Sequence, residues 1–246
     1  MDSIITQLAQ ELNQPDRYVE NVVRLLDEGN TIPFIARYRK ELHGAMDDTT
    51  LRNLEERLNY LRGLQERREA VKNAIAQQDK LTEELAAAID AAATLAEVED
   101  LYRPYKQKRR TRASAAREKG LQPLAELLFA QGPDCPDPLE AAAGYVDPEK
   151  GVETAEEALT GASDIVAESL SDNAELRKVL RSLLAKNGKL RSEAALEEDS
   201  VYRLYYDFTQ PLSRMQGHQV LAVNRGEREG KLKVSVELDR ELALRT

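Results

Sequence analysis

Apolar residues recur every three or four positions along nearly the whole chain, and that spacing limits the fold more than any other feature. Ile5, Leu8 and Leu12, then Val19, Val22, Val23 and Leu26, then Leu51, Leu54, Leu58, Leu61 and Leu64 each fall on one side of an α-helix, because 3.6 residues per turn bring i, i+3, i+4 and i+7 onto one stripe. A chain written this way must bury helix stripes against one another. The expected fold class is mainly α, a multi-helix N-terminal region with a helix-turn-helix-like element and one or two short strands near the C-terminus.

Helix boundaries follow from local chemistry. Gly29 fits the position after a helix end, Thr94 with Glu97 and Thr154 with Glu157 have capping-box spacing, and Gly188 closes ELRKVLRSLLAKN. The longest uninterrupted helical pattern runs over 51–78, and its far end is expected to project from the core. The acids Asp47 and Asp48 suit the cap of that helix better than catalysis. QGPDCPDP at 131–138 reads as a linker between an N-terminal helical region, 1–130, and a second helical region, 139–246. In KLKVSVELD, Leu232, Val234, Val236 and Leu238 alternate with polar residues, which predicts a strand near 231–239; only 188–192 offers it a second extended segment.

Composition narrows the chemistry. Of 246 residues 41% are hydrophobic and the formal net charge is −9, values typical of a water-soluble folded protein. Cys135 is the only thiol, so no intrachain disulfide forms and a cytoplasmic location is expected. His43 and His218 are the only histidines, too few with one cysteine for a zinc site of usual spacing. There is no run of about 18 apolar residues to span a bilayer, so no membrane partner is expected. GxSxG, HExxH and GxGxxG are absent, and RGEREGKL at 225–232 fails as a phosphate loop because its glycine spacing is one residue short and Leu232 replaces the metal-binding hydroxyl. The reading is therefore no enzyme and no cofactor. Glu197, Glu198 and Asp199 lie in a polar run. Tyr202, Tyr205, Tyr206 and Phe208 are read as helically spaced core or interface residues, and His218 as a packed or capping residue.

Against that acidic total, LYRPYKQKRRTR at 101–112 gathers Arg103, Lys106, Lys108, Arg109, Arg110 and Arg112 with no acid. Pro104 ends the helix before them, so these cations occupy a helix exit or loop, where they could meet phosphate with Tyr102 and Tyr105 stacking on bases. The competing reading is a solvated basic loop that neutralises acids such as Glu97, Glu99 and Asp100. NTIPFIARYRKEL at 30–42 has the same character, with Arg37, Arg39 and Lys40 around Tyr38. Two short helices joined through Asn13, Gln14 and Pro15 precede it, as in a helix-turn-helix, although Asp16, Glu20, Asp27 and Glu28 decorate the second and would repel phosphate.

GNTIPFIARYRKELHGAMDDTTLRNLEERLNYL, VEDLYRPYKQKRRTRASAAREKGLQPLA and HQVLAVNRGEREGKLKV, in this order, resemble the N-terminal region of the bacterial Tex family over essentially the whole chain. The resemblance implies a cytoplasmic transcription accessory factor whose RNase-H-like, helix-hairpin-helix and RNA-binding barrel portions lie outside these residues. The family-like positions are Pro33, Phe34, Arg37, Tyr38 and Arg39, then Tyr102, Pro104, Tyr105, Lys106, Lys108, Arg109 and Arg110; Gln219 stands where relatives commonly carry arginine. The functional expectation is a non-catalytic, nucleic-acid-associated module that binds RNA or DNA weakly in the absence of the barrel. The candidate contacts are Arg103, Lys106, Lys108, Arg109, Arg110, Arg112, Arg37, Arg39 and Lys40, and the transcription machinery is a possible partner. The alternative is a helical scaffold that docks other domains or a transcription partner without touching nucleic acid.

Overall fold

The computed structural model describes residues 2–106, 109–132, 135–196 and 200–245. Lys108 and the acids Glu197, Glu198 and Asp199 lie outside the described residues. The chain divides into two compact units, Met1–Tyr102 and Arg103–Thr246. Among the described residues there are thirteen α-helices and three strands, which confirms the mainly α class.

The first unit contains α1 (Asp2–Leu12), α2 (Asp16–Asp27), α3 (Ile32–Tyr38), α4 (Asp48–Ala76), α5 (Glu83–Ala91) and α6 (Leu95–Tyr102). Its spine is α4, 29 residues long, which begins where the Asp47 carboxylate accepts the Thr50 backbone N–H at 2.7 Å. Leu51, Leu54, Leu58 and Leu61 form one buried stripe on α4, and Leu8, Val19, Val22, Val23, Leu25, Ile32 and Ile35 from the first three helices close over it. Residues at this spacing gain by leaving water together, about 1.5–3 kcal/mol for each large aliphatic side chain. The far end of α4 does not project as expected. Val71 and Ile75 are buried there, where α5 and α6 pack against α4 and contribute the buried Ile89 and Val98, and Lys72 bonds Asp90. The Thr94–Glu97 capping box forms, with Thr94 Oγ1 accepting the Glu97 N–H and Glu97 Oε2 accepting the Thr94 N–H.

Two bidentate ion pairs tie the early helices to the spine. Arg57 donates to both Glu11 oxygens at 2.6 and 2.8 Å, and Arg62 to both Asp27 oxygens at 2.7 and 2.9 Å. These arginine hydrogen bonds hold both carboxyls below their ordinary values of 4.5 and 3.8.

The second unit opens with a 3-10 turn, Arg103–Tyr105, and continues through α7 (Arg112–Glu118), α8 (Gln122–Ala130), α9 (Pro138–Ala143), α10 (Ala155–Asp172) and α11 (Ala174–Asn187). Ala113, Ala116, Leu121, Leu124 and Ala125 share one core with Ala142, Val152, Ala158, Ala162 and Ile165. This core draws on residues from both sides of 131–138, within the unit that begins at Arg103. Small residues let these helices approach closely; a Cβ on Gly161 would overlap the Leu121 side chain.

The acids of α10 then bind the basic stretch. Asp164, Glu168 and Asp172 repeat every four residues and so project from one face. Asp172 pairs with Arg103 at 3.0 Å, Glu168 with Arg117 at 2.6 Å and Asp164 with Arg112 at 3.6 Å, while Thr111 Oγ1 donates to Glu168 at 3.0 Å. The carboxylates are 14–23% exposed, which makes the bonds of Asp172 and Glu168 stronger than pairs in open water, whereas the longer pair of Asp164 with the exposed Arg112 is weak.

The remainder holds β1 (Lys189–Ala194), β2 (Asp207–Pro211), α12 (Gly217–Arg228), β3 (Leu232–Glu237) and α13 (Arg240–Leu244), with sheet order β2-β1-β3, both pairings antiparallel. Leu190 lies opposite Val236 and Ala194 opposite Leu232, so 188–192 and 231–239 do pair. The expectation of one or two strands misses β2: Phe208 lies opposite Ser192 in that strand, not on a helix. Tyr202 is buried and donates to Glu229 at 2.9 Å, and Tyr205 meets Phe208 edge-on at 5.2 Å. His218 is exposed in the first turn of α12 and is not packed. The amide of Gln219 bonds the Gln216 N–H and the Gln210 side chain.

Replacing Glu11 by Gln and Asp27 by Asn together will cost roughly 0.5–1 kcal/mol per pair at neutral pH, these being half-exposed ion pairs. Both folded carboxyls titrate below their unfolded values, so the stabilisation is present above the ordinary carboxylate range and disappears as pH falls through the folded values. Thermal melts of wild type and double variant will therefore converge only once the pH has fallen below the folded values of both carboxyls, which lie under 4.5 and 3.8. Glu168→Ala, which removes the central acid and its bonds to Arg117 and Thr111, will lower stability by about 2 kcal/mol in denaturant titration.

Candidate nucleic-acid interface

The segment after α2 is shaped by its own residues. Gly29 takes φ +83°, turning the chain out of α2, and Asn30 Nδ2 donates to the Leu25 carbonyl at 2.9 Å. Pro33 starts α3 in its first turn, where its missing N–H leaves no vacancy in the helix. Ile32 and Ile35 point into the core, so Phe34, Arg37 and Tyr38, at i, i+3 and i+4, share the opposite side. After α3 the chain is anchored by Asn21 Nδ2 donating to the Leu42 carbonyl at 3.0 Å. Gly44, at φ +61°, lies so close to the Tyr18 ring that a Cβ there would overlap it. His43 is buried beside it with neither ring nitrogen hydrogen-bonded.

These constraints hold a cation–aromatic cluster at the surface. The Phe34 and Tyr38 rings lie 5.2 Å apart, tilted by 49°, and Tyr38 is 56% exposed. The Arg39 guanidinium sits 5.0 Å over Phe34 and donates to the Tyr38 carbonyl at 3.0 Å. That of Arg37 lies 6.0 Å from the Tyr38 centroid, at the outer limit of a cation–π contact. Among the described residues Arg37, Arg39 and Lys40 make no ion pair with a carboxylate. Glu41 is the only acid in 30–46, so the local charge is positive within a negative chain.

The 101–112 stretch is arranged differently. The Tyr102 ring lies beneath the Arg67 guanidinium at 5.5 Å, so that face is not open to a base. Arg103 and Arg112 bind the α10 acids, and Arg110 bonds Glu118 at 3.0 Å. Side chains of Arg110 and Arg112 remain 75% and 87% exposed, so their pairs are screened and weak. Lys106 and Arg109 are exposed and make no ion pair among the described residues. They line a cleft of about 740 Å³ that also receives Arg110, Arg117, Glu118, Glu168 and Asp172, and whose charge is consequently mixed. Of the acids expected to neutralise it, Glu99 bonds Arg67, and Glu97 caps its own helix. Asp164, Glu168 and Asp172 went unnoticed, although their four-residue spacing was a readable signal.

Among the described residues no group of three or more His, Cys, Asp or Glu side chains is placed to hold a metal ion, and no helix is long and apolar enough to cross a membrane.

Comparison with known proteins bears on both segments. Residues 2–76 match the Tex-like protein N-terminal domain and residues 134–245 match the Tex central region-like description. The second match begins near the 131–138 stretch, whereas packing assigns 103–130 to the same unit as the residues that follow. Protein tex of Bordetella pertussis is 47% identical over 246 residues, which cover 99% of this chain and 31% of that protein. Transcriptional accessory protein Tex of Neisseria gonorrhoeae is 43% identical over 233 residues, 94% of this chain and 30% of that protein. The human S1 RNA-binding domain-containing protein 1 is 30% identical over 246 residues, 96% of this chain and 24% of that protein. The chain thus spans less than a third of the length of these relatives. With both regional matches in order along a helical chain, this protein belongs to the Tex-like family.

Proposed function

We propose that this chain is a non-catalytic module of a cytoplasmic Tex-like transcription accessory factor, and that it contacts nucleic acid through Arg37, Arg39 and Lys40. The observation that carries this reading is the unneutralised state of those three cations at a surface rigidly attached to the α2–α4 core. Phosphate attracts such groups because binding releases condensed counterions, an effect independent of base sequence. Lys106 and Arg109 provide a secondary contact in the other unit, while Arg103 and Arg112 mainly brace α10. The α1–α2 pair, though joined by a short turn, supports the site and does not read a groove: Asp16, Glu20 and Asp27 stand on the exposed side of α2, and Asp27 is already bound to Arg62. The names of two relatives, a transcriptional accessory protein and an S1 RNA-binding domain-containing protein, agree with this role.

A second reading, a helical scaffold for other domains or a transcription partner, draws on the C-terminal unit. There α11 has no buried residue, and Val201, Leu204 and Leu221 are 89%, 86% and 72% exposed. A surface of this kind gains stability when covered.

Fluorescence anisotropy with labelled RNA and DNA between about 50 and 200 mM salt distinguishes the two. Arg37→Gln/Arg39→Gln/Lys40→Gln will weaken binding to every oligonucleotide and flatten the slope of log K against log salt by about 2 for single strands and nearly 3 for duplex. Arg103→Gln/Arg112→Gln will leave affinity nearly unchanged while lowering the melting temperature. Unaltered affinity and slope in the triple variant would remove the assignment.

A further inference from the structure

We infer that the outer edge of β3 is a self-association surface, where a second copy of this chain lays its own β3 antiparallel to the first. The two three-stranded sheets then become one. The sheet order β2-β1-β3 leaves β2 and β3 as edges, and the two edges are not alike. Hydrogen-bonded and non-bonded pairs alternate along an antiparallel ladder. The Ala195 N–H donates to the Lys231 carbonyl at 3.0 Å, one step beyond the pair of Ala194 with Leu232. Lys233, Ser235 and Glu237 therefore use their backbone groups on β1, while Leu232, Val234 and Val236 aim theirs away from the sheet. Among the described residues nothing outside the sheet bonds these outward groups.

On the other edge the Ala194 N–H donates to the Tyr206 carbonyl at 3.1 Å, so by the same rule Asp207, Thr209 and Pro211 face outward. Pro211 has no N–H to offer, a common protection of a strand edge. The β3 edge has no proline.

The sequence of β3 fits a copy of itself. LKVSVE holds one cation, Lys233, and one acid, Glu237, with Ser235 midway between them. Antiparallel pairing about a twofold axis at Ser235 sets Lys233 opposite Glu237 of the second copy and Val234 opposite its Val236. In that register the outward backbone groups of Val234 and Val236 bond each other. Lys233 and Glu237 meet at a non-hydrogen-bonded position, where facing side chains are closest. Moving the axis to Val234 sets Lys233 opposite Ser235 and loses the charge pair. Both charges are available: Lys233 is exposed and makes no ion pair among the described residues. Glu237 is reached only at 3.6 Å by Arg191, which holds Glu193 at 2.5 Å.

The apolar side agrees. Alternation puts Val234 and Val236 on the face of Leu232, which is buried against Gly226 of α12, yet Val236 is 49% exposed. A twofold axis perpendicular to the sheet keeps the faces in common, so Val236 gains Val234 of the second copy as a neighbour. The contact is isologous and small, so the dimer forms weakly and in proportion to concentration.

Sedimentation equilibrium of the whole chain, without nucleic acid, tests this independently of the function proposed above. Wild type should pass from monomer to dimer as its concentration rises. Lys233→Glu and Glu237→Lys should each weaken self-association by about tenfold or more, because like charges then face each other at both ends of the contact. A mixture of the two variants, one bearing two acids on the strand and the other two lysines, should associate again. Val236→Pro removes an outward N–H that β1 does not use, a change an edge strand tolerates, and should leave the chain monomeric with its circular dichroism unchanged. A wild type that stays monomeric at the highest soluble concentration would overturn the inference. So would a dimer that all three variants retain, which would place the interface elsewhere. Two single charge variants that remain apart when mixed would overturn the register at Ser235.

Discussion

Three carboxylates spaced four residues apart on α10 decide what the most conspicuous basic stretch of this protein can do. Asp164, Glu168 and Asp172 face the start of the second unit and bind Arg112, Arg117 and Arg103. They are mostly shielded from water, so each needs a cationic or hydrogen-bonding partner to offset its lost hydration. The basic stretch supplies two of those partners, Arg103 and Arg112, and α7 supplies Arg117. In doing so it positions α7 against α10, over the alanine-rich core that joins α7, α8, α9 and α10. Of a run of cations that seems, in one dimension, to await a polyanion, Arg103 and Arg112 are in three dimensions attached to α10.

The same physics gives the shorter basic stretch its different standing. Arg37, at the end of α3, and Arg39 and Lys40, just after it, make no ion pair among the described residues, and Glu41 is the one acid in 30–46. The Arg39 guanidinium lies over Phe34 and that of Arg37 at the limit of contact with Tyr38, and an aromatic ring stabilises a cation without neutralising it. An acidic protein can in this way present a positive surface, because at contact distance the local field counts and the net charge of −9 is screened beyond about 10 Å. The division of labour between the two stretches follows from which cations have carboxylate neighbours.

Much of the fold was legible from the sequence. The stripe from Leu51 to Leu61, the cap at Asp47, the stop at Gly29 and the pairing of 188–192 with 231–239 all correspond to structure, because each depends on residues a few positions apart or on a simple alternation. The misreadings have a common cause. Phe208 belongs to a strand whose hydrogen bonds come from β1, at a sequence distance that periodicity does not register. The far end of α4 is covered by α5 and α6, whose arrival no pattern within α4 announces. The candidate-site residues were all visible as cations, but their availability was not.

By itself, the sequence determined that the chain is helical, where most helices start and stop, which faces are apolar, and which positions carry positive charge; these are consequences of local geometry and side-chain chemistry. Only the tertiary structure decided which charges are neutralised. Ion pairing such as that between Arg103 and Asp172 joins residues far apart in the chain, and Coulomb energy depends on separation in space, which exists only once the helices have packed.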